Sequence, residues 1–176
     1  MMYETERLYA RHLRPEDLDD LAALCADPIA MQYMDDGETL PRDMCAKWID
    51  ICQEKYAKRG YGTSAIIEKG SDAFVGFCGV VRPPENDFDE IIYALAQPYW
   101  GKGYATEIAR GMLDYVFSIS QLDKIYATIY SENTASLKVM DKLNMHFEKD
   151  ELQDDGHITK YYVIERPSDE RGPSIK

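Results

Sequence analysis

An amphipathic helix set between two strand-like runs constrains the fold more than any other part of the sequence. Ala105, Ile108, Ala109, Met112, Leu113, Val116 and Phe117 fall at i, i+3, i+4, i+7, i+8, i+11 and i+12, a single helical face. Residues 90–96 before it and 124–130 after it are rich in Ile, Tyr, Ala and Thr and read as strands. A crossover helix returns the chain to the end of the sheet where it began, so these two strands should lie parallel and adjacent.

The other elements arrange themselves around that unit. Residues 3–13 alternate imperfectly and read as one strand. Pro15, Glu16 and Asp17 open a helix carrying Leu18, Leu21, Ala22 and Cys25, which Asp27-Pro28 interrupts. A helix from near Pro41 places Cys45, Trp48, Ile49, Cys52 and Tyr56 on one stripe and ends before Gly60. Strands follow at 61–68 and 73–81 around a Gly70-Ser71-Asp72 turn. After the crossover unit come a short helix at 134–143 and strands at 146–152 and 158–165 around Asp154-Asp155-Gly156. The sum is an α/β domain over residues 1–165 with a mixed, mostly antiparallel sheet and about four helices. Residues 166–176 read as a polar, disordered tail.

Charge limits the partners. Asp and Glu number 32 against 20 Lys and Arg, a net charge of −12. Such a chain repels nucleic-acid phosphates and anionic lipid, and it suits a basic acceptor such as an amine or cationic peptide. No apolar run approaches a membrane span, and the first residues carry no secretory pattern. Cys25, Cys45, Cys52 and Cys78 form no CxxC pair and read as reduced, buried thiols in a cytoplasmic protein. His12, His146 and His157 have no ligand spacing, so no metal is expected.

The turn from Gln97 to Glu107 carries the functional signal. It follows a strand and opens the long helix, whose first N–H groups lack intrahelical partners and favour an anion. Gly101 and Gly103 remove side chains where backbone would approach a phosphate, and Lys102 adds a cation. A P-loop would need Gly-x4-Gly-Lys-Ser/Thr, and a dinucleotide fingerprint a third small residue where Thr106 stands. Neither fits.

Trp100-Gly101-Lys102-Gly103-Tyr104-Ala105-Thr106-Glu107 resembles the acetyl-CoA motif of the GNAT N-acetyltransferases, closest to their ribosomal-protein-alanine acetyltransferase-like subgroup. Thr5-Glu6-Arg7-Leu8 resembles the opening strand of that subgroup, and Asn133-Thr134-Ala135-Ser136 with Lys142-Leu143 resembles its second cofactor motif. The resemblance covers roughly residues 3–165. It implies a splayed strand pair with acetyl-CoA wedged between. Leu95 would offer backbone bonds to the pantetheine arm. The amides of Gly101, Lys102, Gly103, Tyr104, Ala105 and Thr106 would hold the pyrophosphate, and Asn133 would contact the cofactor. Two positions depart from the family. Asn144 stands where Gly is common, and Met140 where many relatives carry a Tyr that protonates the departing thiolate.

The chemistry then needs a base for the amine and support for the thiolate. Glu90 is the first candidate base, with Asp89 and Glu132 behind it. Ser136 is the candidate support for the thiolate, although Asn133 and Ser136 also suit an ordinary helix cap. Tyr33, Tyr93 or Tyr130 could line an acceptor pocket. Trp100 should pack the glycine turn in place, and Cys78 should be core. The expected function is direct acetyl transfer from acetyl-CoA to a primary amine: a protein N-terminus, a lysine, a polyamine or a small amine. Two alternatives stay open: an acyl-CoA-binding sensor without turnover, and an interaction domain that binds no nucleotide. The protein could be a monomer or a homodimer.

Overall fold

The computed structural model describes residues 1–84 and 86–168. One sheet of eight strands organises the chain. In chain order its strands are β1 (Tyr3–Glu4), β2 (Leu8–His12), β3 (Ser64–Glu68), β4 (Phe74–Val81), β5 (Glu90–Leu95), β6 (Lys124–Tyr130), β7 (His146–Leu152) and β8 (Ile158–Glu165). Their spatial order is β1-β2-β3-β4-β5-β6-β8-β7. Every neighbouring pair is antiparallel except β5 and β6, which run parallel. The helices are α1 (Leu18–Cys25), α2 (Pro28–Met31), α3 (Arg42–Arg59), α4 (Tyr104–Ile119) and α5 (Thr134–Leu143).

Alternation along the strands splits the core into two clusters, one per sheet face. Ile91 and Leu95 of β5 join Ile125, Ala127 and Ile129 of β6 under α4 and α5, with Met112, Met140 and Leu143. Ala94 joins Phe77, Ile67 and the buried residues of α1 and α3 on the other face, with Ile92 at its edge. Cys25, Cys45, Cys52 and Cys78 are free and buried. Burial pushes the Cys78 thiol up, so it packs as a small apolar group.

The first strand departs from expectation. Residues 3–13 form two short antiparallel strands, with Tyr3 opposite Ala10, rather than one. The cause is the turn between them. Thr5 N–H donates to Leu8 O at 2.8 Å, and the Arg7 N–H is drawn off to Glu107 Oε1 at 2.8 Å. A helix not foreseen, α2, begins where Asp27-Pro28 interrupts α1. Asp27 Oδ1 accepts the Ile29 N–H at 2.9 Å and so starts a new helical turn. Asn144 takes the left-handed conformation at φ 58° and closes α5 as a Gly would. At the end of the domain, the Arg166 guanidinium donates to Ser120 O and Leu122 O and so ties the chain to the end of α4. The remainder of the expected tail, 169–176, lies outside the described residues.

Candidate active site

β5 and β6 meet at a single register position, Glu90 opposite Tyr126, and separate beyond it. Tyr126 N–H donates to Asp89 O at 2.9 Å, while Ala96 N–H donates to Val75 O at 2.9 Å. By alternation the peptide groups of Tyr93 and Leu95, with the carbonyl of Ile91, face β6 across the widening gap beyond the one bridge that joins the strands. The closed end of the gap is therefore at Glu90. The open end lies about 17 Å away, five strand residues on. Because the strands are parallel, the turn into α4 and the loop into α5 both emerge at that open end.

The turn into α4 is shaped by its glycines. Gly101 and Gly103 have φ 73° and 80°, a left-handed conformation that favours residues without Cβ. The space around them is open: a Cβ at Gly101 would meet nothing within 4 Å, and one at Gly103 only the Arg7 guanidinium, at 3.6 Å. No side chain caps α4, and its first internal bond runs from Glu107 N–H to Gly103 O at 3.1 Å. The amides of Tyr104, Ala105 and Thr106 are thus the orphan donors of a long helix, beside the Lys102 ammonium. That is the donor set a diphosphate needs.

The turn is braced from outside. Arg7 donates from Nε to Glu107 Oε2 at 2.7 Å and from Nη1 to Lys102 O at 2.9 Å, and its guanidinium lies 4.6 Å over the Tyr104 ring. Thr5 Oγ1 donates to Glu107 Oε1 at 2.6 Å. Burial raises the Glu107 pKa, but the Thr5 hydroxyl and the Arg7 amide and guanidinium outweigh it and hold the carboxyl below its ordinary range. Thr5-Glu6-Arg7-Leu8 thus acts through Glu107 on the glycine turn. Trp100 does more than pack: its ring is 44% exposed, and its indole N–H donates to Leu95 O at 2.6 Å, tying the turn to the end of β5.

α5 starts differently. Asn133 Oδ1 accepts the Ser136 N–H at 3.1 Å, an ordinary side-chain cap. Met140 is fully buried in the core under α4 and faces no cleft.

The carboxylates separate into distinct roles. Glu90 is 8% exposed at the closed end of the gap, and its Oε2 accepts the Thr128 hydroxyl at 2.6 Å. Asp89 is pinned between Arg59 and Arg82, each at 2.5 Å, which commits it to structure. Glu132 lies on the surface beyond β6, 3.7 Å from His157 Nδ1.

On the face of β6 that carries Thr128, Tyr130 sits 6.2 Å from Tyr33 and 5.5 Å from His157, and its hydroxyl donates to Asp35 O at 3.2 Å. Burial raises the Tyr130 pKa, and Asp155, Asp35, Asp36 and Glu132 push it the same way, a mark of acidic surroundings. Tyr93 does not join this group. Three residues from Glu90, it points to the α5 side of the sheet. That separation was legible from strand alternation alone. Among the described residues no group of three or more His, Cys, Asp or Glu could hold a metal ion. Among the same described residues no helix is long and apolar enough to cross a membrane.

The sequence model of the acetyltransferase (GNAT) domain matches residues 7–146. The chain belongs to the GNAT acetyltransferase family. It is 34% identical over 166 residues to the uncharacterized N-acetyltransferase p20 of Bacillus licheniformis, covering 92% of this chain and 90% of that one. The fold is similar to the ribosomal-protein-S5-alanine acetyltransferase of Vibrio fischeri, with TM-score 0.80, 15% identity and coverage of 94% and 97%. It is also similar to the spermidine N-acetyltransferase of Vibrio cholerae in complex with CoA and spermine, with TM-score 0.75, 18% identity and coverage of 90% and 95%. At those identities the two structures bear on the fold and leave the subgroup open. The GNAT fold expected from the turn, with its parallel pair inside a mixed sheet, is the fold found.

Proposed function

We propose that this acetyltransferase moves an acetyl group from acetyl-CoA directly to a primary amine in the cytoplasm. The observation that carries the reading is the gap between β5 and β6, with an uncapped helix start at its open end and a buried carboxylate at its closed end. The amides of Gly101, Lys102, Gly103, Tyr104, Ala105 and Thr106 and the Lys102 ammonium grip the diphosphate. The Leu95 N–H, the peptide group of Tyr93 and the Ile91 carbonyl orient the pantetheine arm like a missing strand, the Leu95 carbonyl being held by Trp100. Asn133 contacts the cofactor through its amide NH2, since its Oδ1 is occupied by the cap.

Glu90 takes the proton from the attacking amine, directly or through a water, and the Thr128 hydroxyl holds the carboxylate in place. A backbone N–H of β5 facing the gap stabilises the charge that develops on the thioester oxygen. Ser136 supports the departing thiolate. The acceptor is a cationic amine, because Asp155, Asp35, Asp36 and Glu132 all act electrostatically on Tyr130 and the chain carries a net charge of −12. A protein α-amine, a lysine, a polyamine and a small amine all satisfy that chemistry.

Release of free CoA from acetyl-CoA across a panel of such amines tests the reading. Turnover with at least one amine is the expected result, and Glu90→Gln should lower kcat at neutral pH by roughly a hundredfold while sparing acetyl-CoA affinity. An unchanged kcat would remove Glu90 from the reaction. The second reading, an acyl-CoA sensor, draws on Met140, which has no proton to give. Tight acetyl-CoA binding with no turnover on any amine would favour it.

A further inference from the structure

Tyr93 occupies the middle of β5, on the face covered by α4 and α5, with its ring against the cluster that includes Val139 and Met140. Its phenolic oxygen is shut off from solvent and makes no hydrogen bond of acceptable geometry. Ser136, in the first turn of α5, is the hydroxyl group set close enough to influence it. Cys78, on the neighbouring strand, is the other titratable group that acts on it, and burial keeps that thiol neutral. A buried hydroxyl without a partner is destabilising, a cost that Phe at the same place would avoid. The backbone of Tyr93 faces the gap and its hydroxyl lies beside Ser136. A group entering along β5 past Leu95 reaches this position before it reaches Glu90.

Resting on the acetyl-CoA reading, we propose that the Tyr93 hydroxyl, with Ser136 beside it, is the hydrogen-bond donor to the thioester sulfur and to the thiolate as it leaves. As the amine nitrogen bonds to the acyl carbon, the C–S bond breaks and its electron pair passes to sulfur. The proton lost by nitrogen goes to the Glu90 side of the sheet. Tyr93 keeps its own proton and donates a hydrogen bond. Burial pushes the phenol up to about 12 while Ser136 draws it the other way. A thiol ionises near 8.5, so the phenol remains a donor throughout and does not act as an acid. The strand thereby supplies what Met140 on α5 cannot.

The test uses Tyr93→Phe, which removes one oxygen and no packing. CoA carrying a 13C label beside the sulfur is bound to the wild-type protein and to the variant, and its thiol is titrated by NMR. The bound thiol should ionise about one pH unit lower in the wild type than in the variant. In the same variant kcat should fall roughly ten- to hundredfold, with CoA affinity kept and thermal stability equal or higher. Ser136→Ala should move both readouts in the same direction by less. Equal thiol titrations and equal kcat in wild type and Tyr93→Phe, with CoA bound to both, would overturn the proposal alone. Failure of the wild type to bind CoA would overturn the acetyl-CoA reading and this inference with it.

Discussion

Two helices begin at the open end of the splayed strands, and they treat their first turns in opposite ways. α5 satisfies itself: Asn133 caps the Ser136 amide with its own side chain. α4 has no cap, and its entry through Gly103 leaves the amides of Tyr104, Ala105 and Thr106 without a side-chain acceptor. α4 is also the more heavily braced of the two, with Thr5, Arg7 and Glu107 fixing the turn from outside. An uncapped helix start held rigid by other parts of the chain is organised for a ligand, whereas a self-capped one is organised for stability. The same physical need, satisfying orphan amides, is met by a side chain in α5 and left open in α4, which under the proposed function suits α4 to the diphosphate.

The largest expected effect falls on the open end. Gly103→Val forces a β-branched side chain into φ 80°, which costs about 1–2 kcal/mol in strain and displaces the amides that follow. CoA affinity, read by calorimetry, should drop at least tenfold, with a fall in Tm of a few degrees. Undiminished affinity would mean that α4 does not hold the anion and that the contrast between the two helix starts has no functional content.

What the residues alone disclosed divides along the same line. The glycine turn and the crossover helix were legible because both rest on local rules: Gly101 and Gly103 for a left-handed turn, and seven apolar positions on one helical face. The bounds of β6, α5, β7 and β8 were legible for the same reason. What escaped depends on contacts distant in sequence. The break between β1 and β2 comes from Glu107, a hundred residues along, capturing the Arg7 amide. The structural role of Asp89 depends on Arg59 and Arg82 arriving from other elements. Tyr93 was grouped with Tyr33 and Tyr130, although its odd spacing from Glu90 already put it on the opposite face.

The brace behind α4 makes a smaller prediction, and its sign follows from the depressed Glu107 pKa. A carboxyl whose pKa is lower in the folded state contributes its full stability above the unfolded value, near 4. That contribution is lost as pH falls through the lower folded value. Glu107→Gln removes the effect. At neutral pH the variant should be less stable by about 1 kcal/mol, a figure held down because solvent screens the half-exposed Arg7. As pH falls through the depressed folded value of Glu107, the gap between the two unfolding curves should close. A gap that stayed constant with pH would show that Glu107 braces the turn by packing rather than by charge. The KM for acetyl-CoA should rise in parallel, since the Arg7 contact to Lys102 O loses its anchor.

The smallest effect belongs to the capped end, and it separates the two roles Asn133 can have. Asn133→Ala removes the cap and should cost about 1 kcal/mol of stability. Asn133→Ser keeps a capping oxygen, since Ser and Asn cap about equally well, but it lacks the amide NH2 that could reach the cofactor. The Ser variant should therefore keep its Tm and lose roughly threefold in CoA affinity, the size of one neutral hydrogen bond. If the Ser variant binds CoA as tightly as the wild type, Asn133 is a cap and nothing more. The cofactor would then be held from the α4 side and the backbone of β5, and the contrast between the two helix starts would be complete.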